Sequence, residues 1–390
     1  MIAARPLHGA RRIAVFRALM LGDMLCALPA LRALKAGFPG ARVTLIGLPW
    51  AGEWAARLTE VDDFIAFPGH PAFAETPTAD VGALPFFLAT VQARRFDLAV
   101  QMHGSGALSN PLVAMLGARR STGFASPDAW VPAADAALYR PWPEAGTEVE
   151  RLLALTDHLG LPRRGEGLGW PVRDDDRAAL RSTWPAIDEA ARPLVVVHAG
   201  AQLPSRRWGV ERFGEVAAAL AERGCTIVLT GIAGEAGLVG ALAALLPPTA
   251  VNLCGRTSLW TLAALLERAD LVVCNDTGIS HLAAALKRPS VVVSSGGDAA
   301  RWAPADWHLH RVLAGAAPCR PCRHAACPVG PPDEHPCASA TTPQAVVAEA
   351  LALLSLQQGD AALTVPIAST ASIAAACERV SAALSAATGN

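Results

Sequence analysis

No long apolar run exists in this chain. A bilayer span needs about 20 consecutive apolar residues, and no uninterrupted stretch approaches that, although 52% of the 390 residues are hydrophobic. Arg5, Arg11 and Arg12 ahead of Ile13-Ala14-Val15-Phe16 imitate a secretory leader, but Arg17 and Asp23 interrupt the apolar stretch too early for one. The expectation is a first β-strand and a cytoplasmic protein, at most peripheral to the inner face of the cytoplasmic membrane. An excess of one charge is also missing. Lys+Arg 33 against Asp+Glu 34 leaves a net charge of −1, so no global basic field draws the chain to nucleic acid. No G-x-G-x-x-G follows the first strand, which argues against NAD-dependent oxidoreduction. Aromatic residues are few, at 5%, but the apolar content suits a globular core and not a disordered chain.

What is present alternates. Ile13–Arg17 reads as a strand, Leu25–Phe38 as a helix, Arg42–Leu48 as a strand, Trp50–Thr59 as a helix and Phe64–Phe67 as a strand. Helix Val81–Arg95, strand Leu98–Met102, a helical stretch over Ser105–Leu116 and a short strand at Thr122–Phe124 continue the rhythm. After helix Glu148–Leu159 comes a Gly, Pro and charge-rich stretch, Pro162 to Pro171, with the composition of an inter-domain linker. A second series then opens with Pro193–His198 and runs through strands at Thr226–Thr230, Val251–Leu253, Leu271–Cys274 and Ser290–Ser294, with helices at Val210–Arg223, Glu235–Leu246, Ser258–Arg268 and His281–Leu286. This pattern predicts an α/β protein with two Rossmann-like domains facing a cleft. Helices are expected at Pro343–Leu356 and Ala371–Ala387.

Three loops in the second series follow three strands. Asp276-Thr277-Gly278-Ile279-Ser280-His281 sits where a buried strand ends and a helix begins, so backbone N–H groups and the positive end of a helix dipole meet there. That place suits a phosphate; the other reading is a capped helix with a packed His281. His198-Ala199-Gly200 leads to Arg206-Arg207, small residues followed by two guanidinium groups that suit a diphosphate, or else a solvated basic turn. Thr230-Gly231 leads to Glu235, a carboxylate placed to hold ribose hydroxyls, or else an acid complementing a helix start. In the first series Asp23 follows the first strand. It reads equally as a general base for an acceptor hydroxyl and as a helix cap. Arg17 reads as a strand-end surface charge or an anion contact.

Five of the nine cysteines, Cys26, Cys225, Cys254, Cys274 and Cys377, are scattered and read as free thiols. The other four form Cys319-x2-Cys322-x4-Cys327-x9-Cys337, with His324 and His335 interleaved. Four thiolates suit a structural zinc or iron; free thiols are the competing reading, and disulfides are disfavoured in the cytosol. The prolines at 318, 321, 328, 331 and 332 are expected to deny this loop a helix or sheet of its own.

Taken together, Gly22-Asp23 with Pro29 and Leu31-Arg32-Ala33-Leu34, His198-Ala199-Gly200, Arg207-Trp208, Thr230-Gly231 with Glu235, Leu253-Cys254-Gly255-Arg256-Thr257, and Asn275-Asp276-Thr277-Gly278 with His281-Leu282-Ala283-Ala284 resemble glycosyltransferase family 9, the ADP-heptose:lipopolysaccharide heptosyltransferases. The resemblance runs from about residue 12 to about residue 350. It implies a GT-B fold, with an acceptor-binding domain over 1–165, a nucleotide-sugar-binding domain over 172–345 that includes the Cys-rich loop 318–338, and a helical tail over 346–390. It implies an inverting transfer, heptose from ADP-heptose or another nucleotide diphosphate sugar onto a lipopolysaccharide core or another glycan or protein acceptor. Asp23 would be the base, Glu235 the ribose ligand, and Asp276, Thr277 and Gly278 the diphosphate and sugar contacts, with His281 beside them. Arg207 stands where the family usually has lysine. Positive side chains and the helix dipole then serve the diphosphate, and no catalytic metal is required. A nucleotide-sugar epimerase of the same architecture and a non-catalytic, metal-stabilised interaction protein are the competing readings.

Overall fold

The computed structural model describes residues 7, 9–322, 324–330 and 335–358. The expected helix Ala371–Ala387 lies outside them.

Two six-stranded sheets carry the chain. The first contains β1 (Arg12–Phe16), β2 (Arg42–Gly47), β3 (Asp63–Ala66), β4 (Leu98–Gln101), β5 (Arg120–Ala125) and β6 (Tyr139–Pro141), ordered β3-β2-β1-β4-β5-β6. The second contains β7 (Leu194–His198), β8 (Thr226–Leu229), β9 (Val251–Asn252), β10 (Leu271–Asn275), β11 (Ser290–Val293) and β12 (His310–Leu313), ordered β12-β11-β10-β7-β8-β9. Every pairing is parallel. Counted within each sheet, both orders are 3-2-1-4-5-6, the doubly wound topology with helices on both faces. The central strands are runs of apolar residues because both of their faces are covered: Val195, Val196 and Val197 are fully buried, as are Leu271, Val272 and Val273.

Several elements depart from expectation. The helix expected over Leu25–Phe38 is two helices, Leu21–Cys26 and Leu28–Gly37, with Pro29 in the first turn of the second, where a missing N–H costs little. Strands β6 and β12 were not foreseen. One is a three-residue Tyr-Arg-Pro edge, and the other is half-buried and opens on His310-Arg311, so neither shows an apolar run. Helix Asp174–Thr183 was hidden by its three leading acids; it buries Asp176 and Leu180 and packs on helix Leu259–Arg268. The Cys-rich segment does contain a helix, Pro336–Ser339, because Pro336 stands at its first turn and not in its interior.

The two domains meet at two places. Near the linker, the Arg57 guanidinium lies 3.5 Å over the Trp260 ring and pairs with Asp176, while Trp260 Nε1 donates to Glu53 at 3.2 Å. At the cleft, helix Leu21–Cys26 packs against helix Gly278–Ala285. Gly22 makes that approach possible: a Cβ there would stand 2.5 Å from His281 Cδ2, inside any permitted contact. Among the described residues no helix is long and apolar enough to cross a membrane.

Candidate active site

In a doubly wound sheet the crevice opens at the carboxyl ends of the strands where the order reverses. In the second sheet that point lies between β7 and β10, which pair with Cys274 opposite His198. The loops after β7, β8 and β10 are therefore neighbours, as the sequence predicts. Asn275, fully buried at the end of β10, ties them. Its Nδ2 donates to the Ala199 carbonyl at 2.8 Å, and its Oδ1 accepts from the Trp208 N–H at 3.1 Å. Both ends of the amide are satisfied, so the turn that follows is held against the loop carrying Arg206 and Arg207.

His198 Nδ1 lies 3.0 Å from Thr230 Oγ1, joining the first two loops. Burial holds the His198 imidazole below its usual value, with Glu235 pulling the other way. Glu235 leans directly over Gly200: a Cβ at 200 would stand 2.1 Å from Glu235 Oε1. The same carboxylate accepts from the Ile232 N–H at 2.9 Å, so its position is fixed from below by absent side-chain bulk and from its own loop by a backbone donor.

The Asp276 carboxylate accepts from Ser294 Oγ at 3.1 Å. Helix Gly278–Ala285 begins two residues later with Thr277 at its N-cap and no side-chain cap bond, so the expected cap is not what Asp276 or Thr277 supplies. Arg206 and Arg207 differ. Arg207 Nε donates to the Ala201 carbonyl at 3.1 Å. Arg206 donates one Nη2 bond to the Cys322 carbonyl at 3.1 Å, and its buried Nη1, beside the Gly296-Gly297 turn, has no partner among the described residues. A buried guanidinium nitrogen without an acceptor is costly, and an anion supplied by a ligand would meet its need.

Asp23 lies in the first turn of helix Leu21–Cys26 and is not its cap, which is Met20. Burial pushes its carboxyl above the ordinary carboxylate range, while Arg17 holds it back. Arg17 is fully buried, which corrects the expectation of a surface charge; the anion it contacts is the Glu148 carboxylate. Its Nε donates to the Asp23 carbonyl at 2.9 Å and its Nη2 to Glu148 Oε1 at 3.0 Å. His281 stands between the domains, with Nδ1 3.6 Å from Cys26 Sγ. Burial depresses its imidazole, and Asp276 from one domain and Asp23 from the other oppose that. The structure thus gathers Asp23, His281 and Asp276 at the cleft, with His198, Gly200, Thr230, Gly231 and Glu235 farther along the second sheet. A cavity of about 570 Å³ lies between the domains, lined in part by Cys26, Glu148, His281, Arg301 and Trp302.

The Cys-rich loop sits on the same site. Ser205 N–H donates to the Ala325 carbonyl at 3.0 Å and Cys322 N–H to the Gly296 carbonyl at 2.9 Å. Arg320 Nη2 donates to Ser294 Oγ at 3.3 Å and the Gly297 carbonyl at 2.9 Å. Burial and the neighbouring Cys319 raise the Cys337 thiol, and Cys327 adds to this. His335 Nδ1 lies 3.1 Å from Cys337 Sγ, while its buried Nε2 has no partner among the described residues. Among the described residues, however, no three His, Cys, Asp or Glu side chains are gathered as a metal-ligand set. Cys319 and Cys327 lie close enough to act on the Cys337 thiol, whereas Cys322 Sγ accepts from the His324 N–H at 3.4 Å.

Glu148, Arg301, Asn275 and Arg320 were not singled out as candidates. A polar residue ending the apolar run of β10 was a usable signal for Asn275. Nothing local distinguishes Glu148 from an ordinary helix-start acid.

Comparison with known proteins agrees with this fold. The model of glycosyltransferase family 9 (heptosyltransferase) matches residues 87–332, more than half of the chain. The chain is 29% identical over 256 residues to lipopolysaccharide heptosyltransferase 2 of Salmonella typhimurium, covering 61% of this chain and 70% of that protein. Its fold is similar to the structure of Escherichia coli ADP-heptose lps heptosyltransferase II, with a TM-score of 0.70 at 22% identity, over 90% of this chain and 100% of that one. The crystal structure of a family 9 glycosyl transferase from Veillonella parvula gives 0.72 at 18% identity, over 88% and 97%.

Proposed function

The chain belongs to glycosyltransferase family 9, and from that premise we propose that it transfers heptose from ADP-heptose to a lipopolysaccharide core acceptor with inversion at the sugar carbon. The observation that carries this reading is the meeting of Asp23 and the Asp276–His281 turn across the domain contact at Gly22. Inversion needs a base on one side of the reacting carbon and a stabilised leaving group on the other. Asp23 takes the proton of the acceptor hydroxyl. The hydroxyl oxygen bonds to C1 of the sugar, the bond from C1 to the phosphate oxygen breaks, and its electron pair leaves on the diphosphate. Arg206, Arg207 and the N-terminus of helix Gly278–Ala285 receive that charge. Glu235, over Gly200, holds the ribose, with His198, Thr230 and Gly231 shaping its loop; Asp276, Thr277 and Gly278 contact diphosphate and sugar. On this reading the first domain binds the acceptor and the second the donor, and the diphosphate requires no catalytic metal.

Two further parts belong to this reading. The four-cysteine loop is a structural site for zinc or iron, supported by its spacing and by the partnerless buried nitrogen of His335; binding would draw the thiols together. The protein works in the cytoplasm at the membrane surface, supported by the large apolar side chains that the first domain exposes, Phe86 and Leu108.

A thermal-shift series with ADP, UDP and GDP and their sugars tests the donor. Selective binding raises apparent stability, and a response to ADP and ADP-heptose above the others is expected. A response to UDP alone would redirect the assignment.

A further inference from the structure

Five elements surround the Asp23 carboxylate. The end of β1 supplies Arg17 and the base's own helix supplies Cys26. Helix Glu148–His158 supplies Glu148. From the second domain, helix Gly278–Ala285 supplies His281 and helix Ala299–Trp302 supplies Arg301. Their charges balance as two carboxylates against two guanidinium groups, with a buried imidazole beside them. The arrangement of those four charges is specific. Arg17 comes within 4.0 Å of Asp23 Oδ1 but does not bond it. Its Nε is spent on the Asp23 carbonyl, its Nη1 on the Met102 carbonyl and its Nη2 on Glu148. Glu148 is 2% exposed, and its second oxygen accepts from Arg301, Nε at 2.9 Å and Nη2 at 2.8 Å. The capping box of Thr147 and Glu150 fixes the first turn of the helix and with it the place of Glu148.

A fully buried arginine left alone beside a carboxylate closes into a fork-to-fork pair. Such a pair would occupy the oxygens that must accept a proton. Here Glu148 takes the nearest nitrogen of the fork instead, and the same carboxylate is the one that meets a cation of the other domain.

We propose that Glu148 is a positioning residue for the transfer reaction: it holds Arg17 off the Asp23 carboxylate, which leaves the base free, and it seats Arg301 beside it, so that the base is charge-balanced only when the two domains are in contact. This rests on the reading of Asp23 as the base. It makes the Glu148–Arg301 pair the means by which domain contact reaches the reacting group, since Arg301 brings its positive charge to Asp23 only when the second domain is in place.

Three variants of the full-length enzyme test the proposal through the pH profile of kcat. In Glu148→Gln a negative charge beside Asp23 is lost and Arg17 is released toward it. Both changes favour the ionised form of Asp23 and weaken it as a base. The acid limb is expected to move about one pH unit lower, with the plateau of kcat down at least tenfold and the ADP thermal shift retained. Arg301→Gln removes a positive charge, so its acid limb is expected to move upward. Glu148→Asp, which keeps the charge, is expected to return the limb toward its original place. A purely structural role predicts lower kcat with unmoved limbs, and that result overturns the proposal, as does movement of both limbs in the same direction or an unchanged Glu148→Gln enzyme. Should Glu148→Gln not fold, the direction of the Arg301→Gln shift decides alone. If the unaltered enzyme transfers no sugar from any nucleotide donor, the functional reading fails first and separately.

Discussion

The first turns after β1 and after β7 occupy the same position in the same topology, yet they are built from opposite materials, before Arg206 and Arg207 bring charge to the second. After β1 the site is made of charged side chains: Arg17 wholly buried, Asp23 in the first turn of a helix, and Glu148 closing the set. After β7 it is made of backbone and of room: Ala199, Gly200 and the carbonyls that Asn275 collects. The difference follows from what each segment would do. A proton acceptor needs a carboxyl group whose affinity for protons is adjusted by neighbours. A nucleotide diphosphate needs donors at fixed positions and space to approach them. One scaffold, used twice, serves both because the chemistry resides in the loops.

The sharpest break of the comparison is Asp23→Asn. It removes the basic oxygen but keeps the shape, so turnover is expected to fall about 10²- to 10⁴-fold, while ADP binding by calorimetry stays within a factor of two or so of the original. Loss of both together would mean that the two segments are not separable. Because burial raises the Asp23 carboxyl, the acid limb of kcat in the unaltered enzyme is expected above the ordinary aspartate value of about 3.9.

The reciprocal change is Gly200→Ala. The new Cβ would fall 2.1 Å from Glu235 Oε1 and displace that carboxylate. Losing the hydrogen bonds proposed between Glu235 and a ribose is expected to cost about 1.5–3 kcal/mol, roughly ten- to hundredfold in ADP affinity, with the position of the acid limb unmoved. An affinity equal to that of the unaltered enzyme would remove Glu235 from the nucleotide site. The smallest effect is expected from the loop that braces Arg206. Elemental analysis of protein purified without chelators should find zinc or iron, and stripping it should lower Tm by ~2–4 °C for each kcal/mol of loop stability lost. A preparation without metal ends that reading.

Most of the second sheet could be read in advance, because fully buried parallel strands are apolar runs and the loops after them are marked by glycine and polar residues. The Asp276–Thr277–Gly278 turn lies where the pattern places it. The strands that escaped notice, β6 and β12, are edges, where one face is partly solvated and the apolar signal fades. The charge network escaped for a different reason. Arg17, Glu148 and Arg301 are separated by 131 and 153 residues, and each alone has the features of a surface residue. Only tertiary packing buries them together. The family resemblance supplied Asp23 as a base but gave no reason for its freedom from Arg17; that reason is a distance between side chains, which sequence spacing does not carry.

The absence of a side chain at Gly22 has a consequence for how the two domains are joined. Helix Leu21–Cys26 and helix Gly278–Ala285 touch at His281 with no space to spare, although they belong to different domains and stand more than 250 positions apart. Any side chain added at position 22 would have to move the His281 ring, and with it the contact that joins the two domains. A single missing methyl group thus sets how closely the two halves can approach.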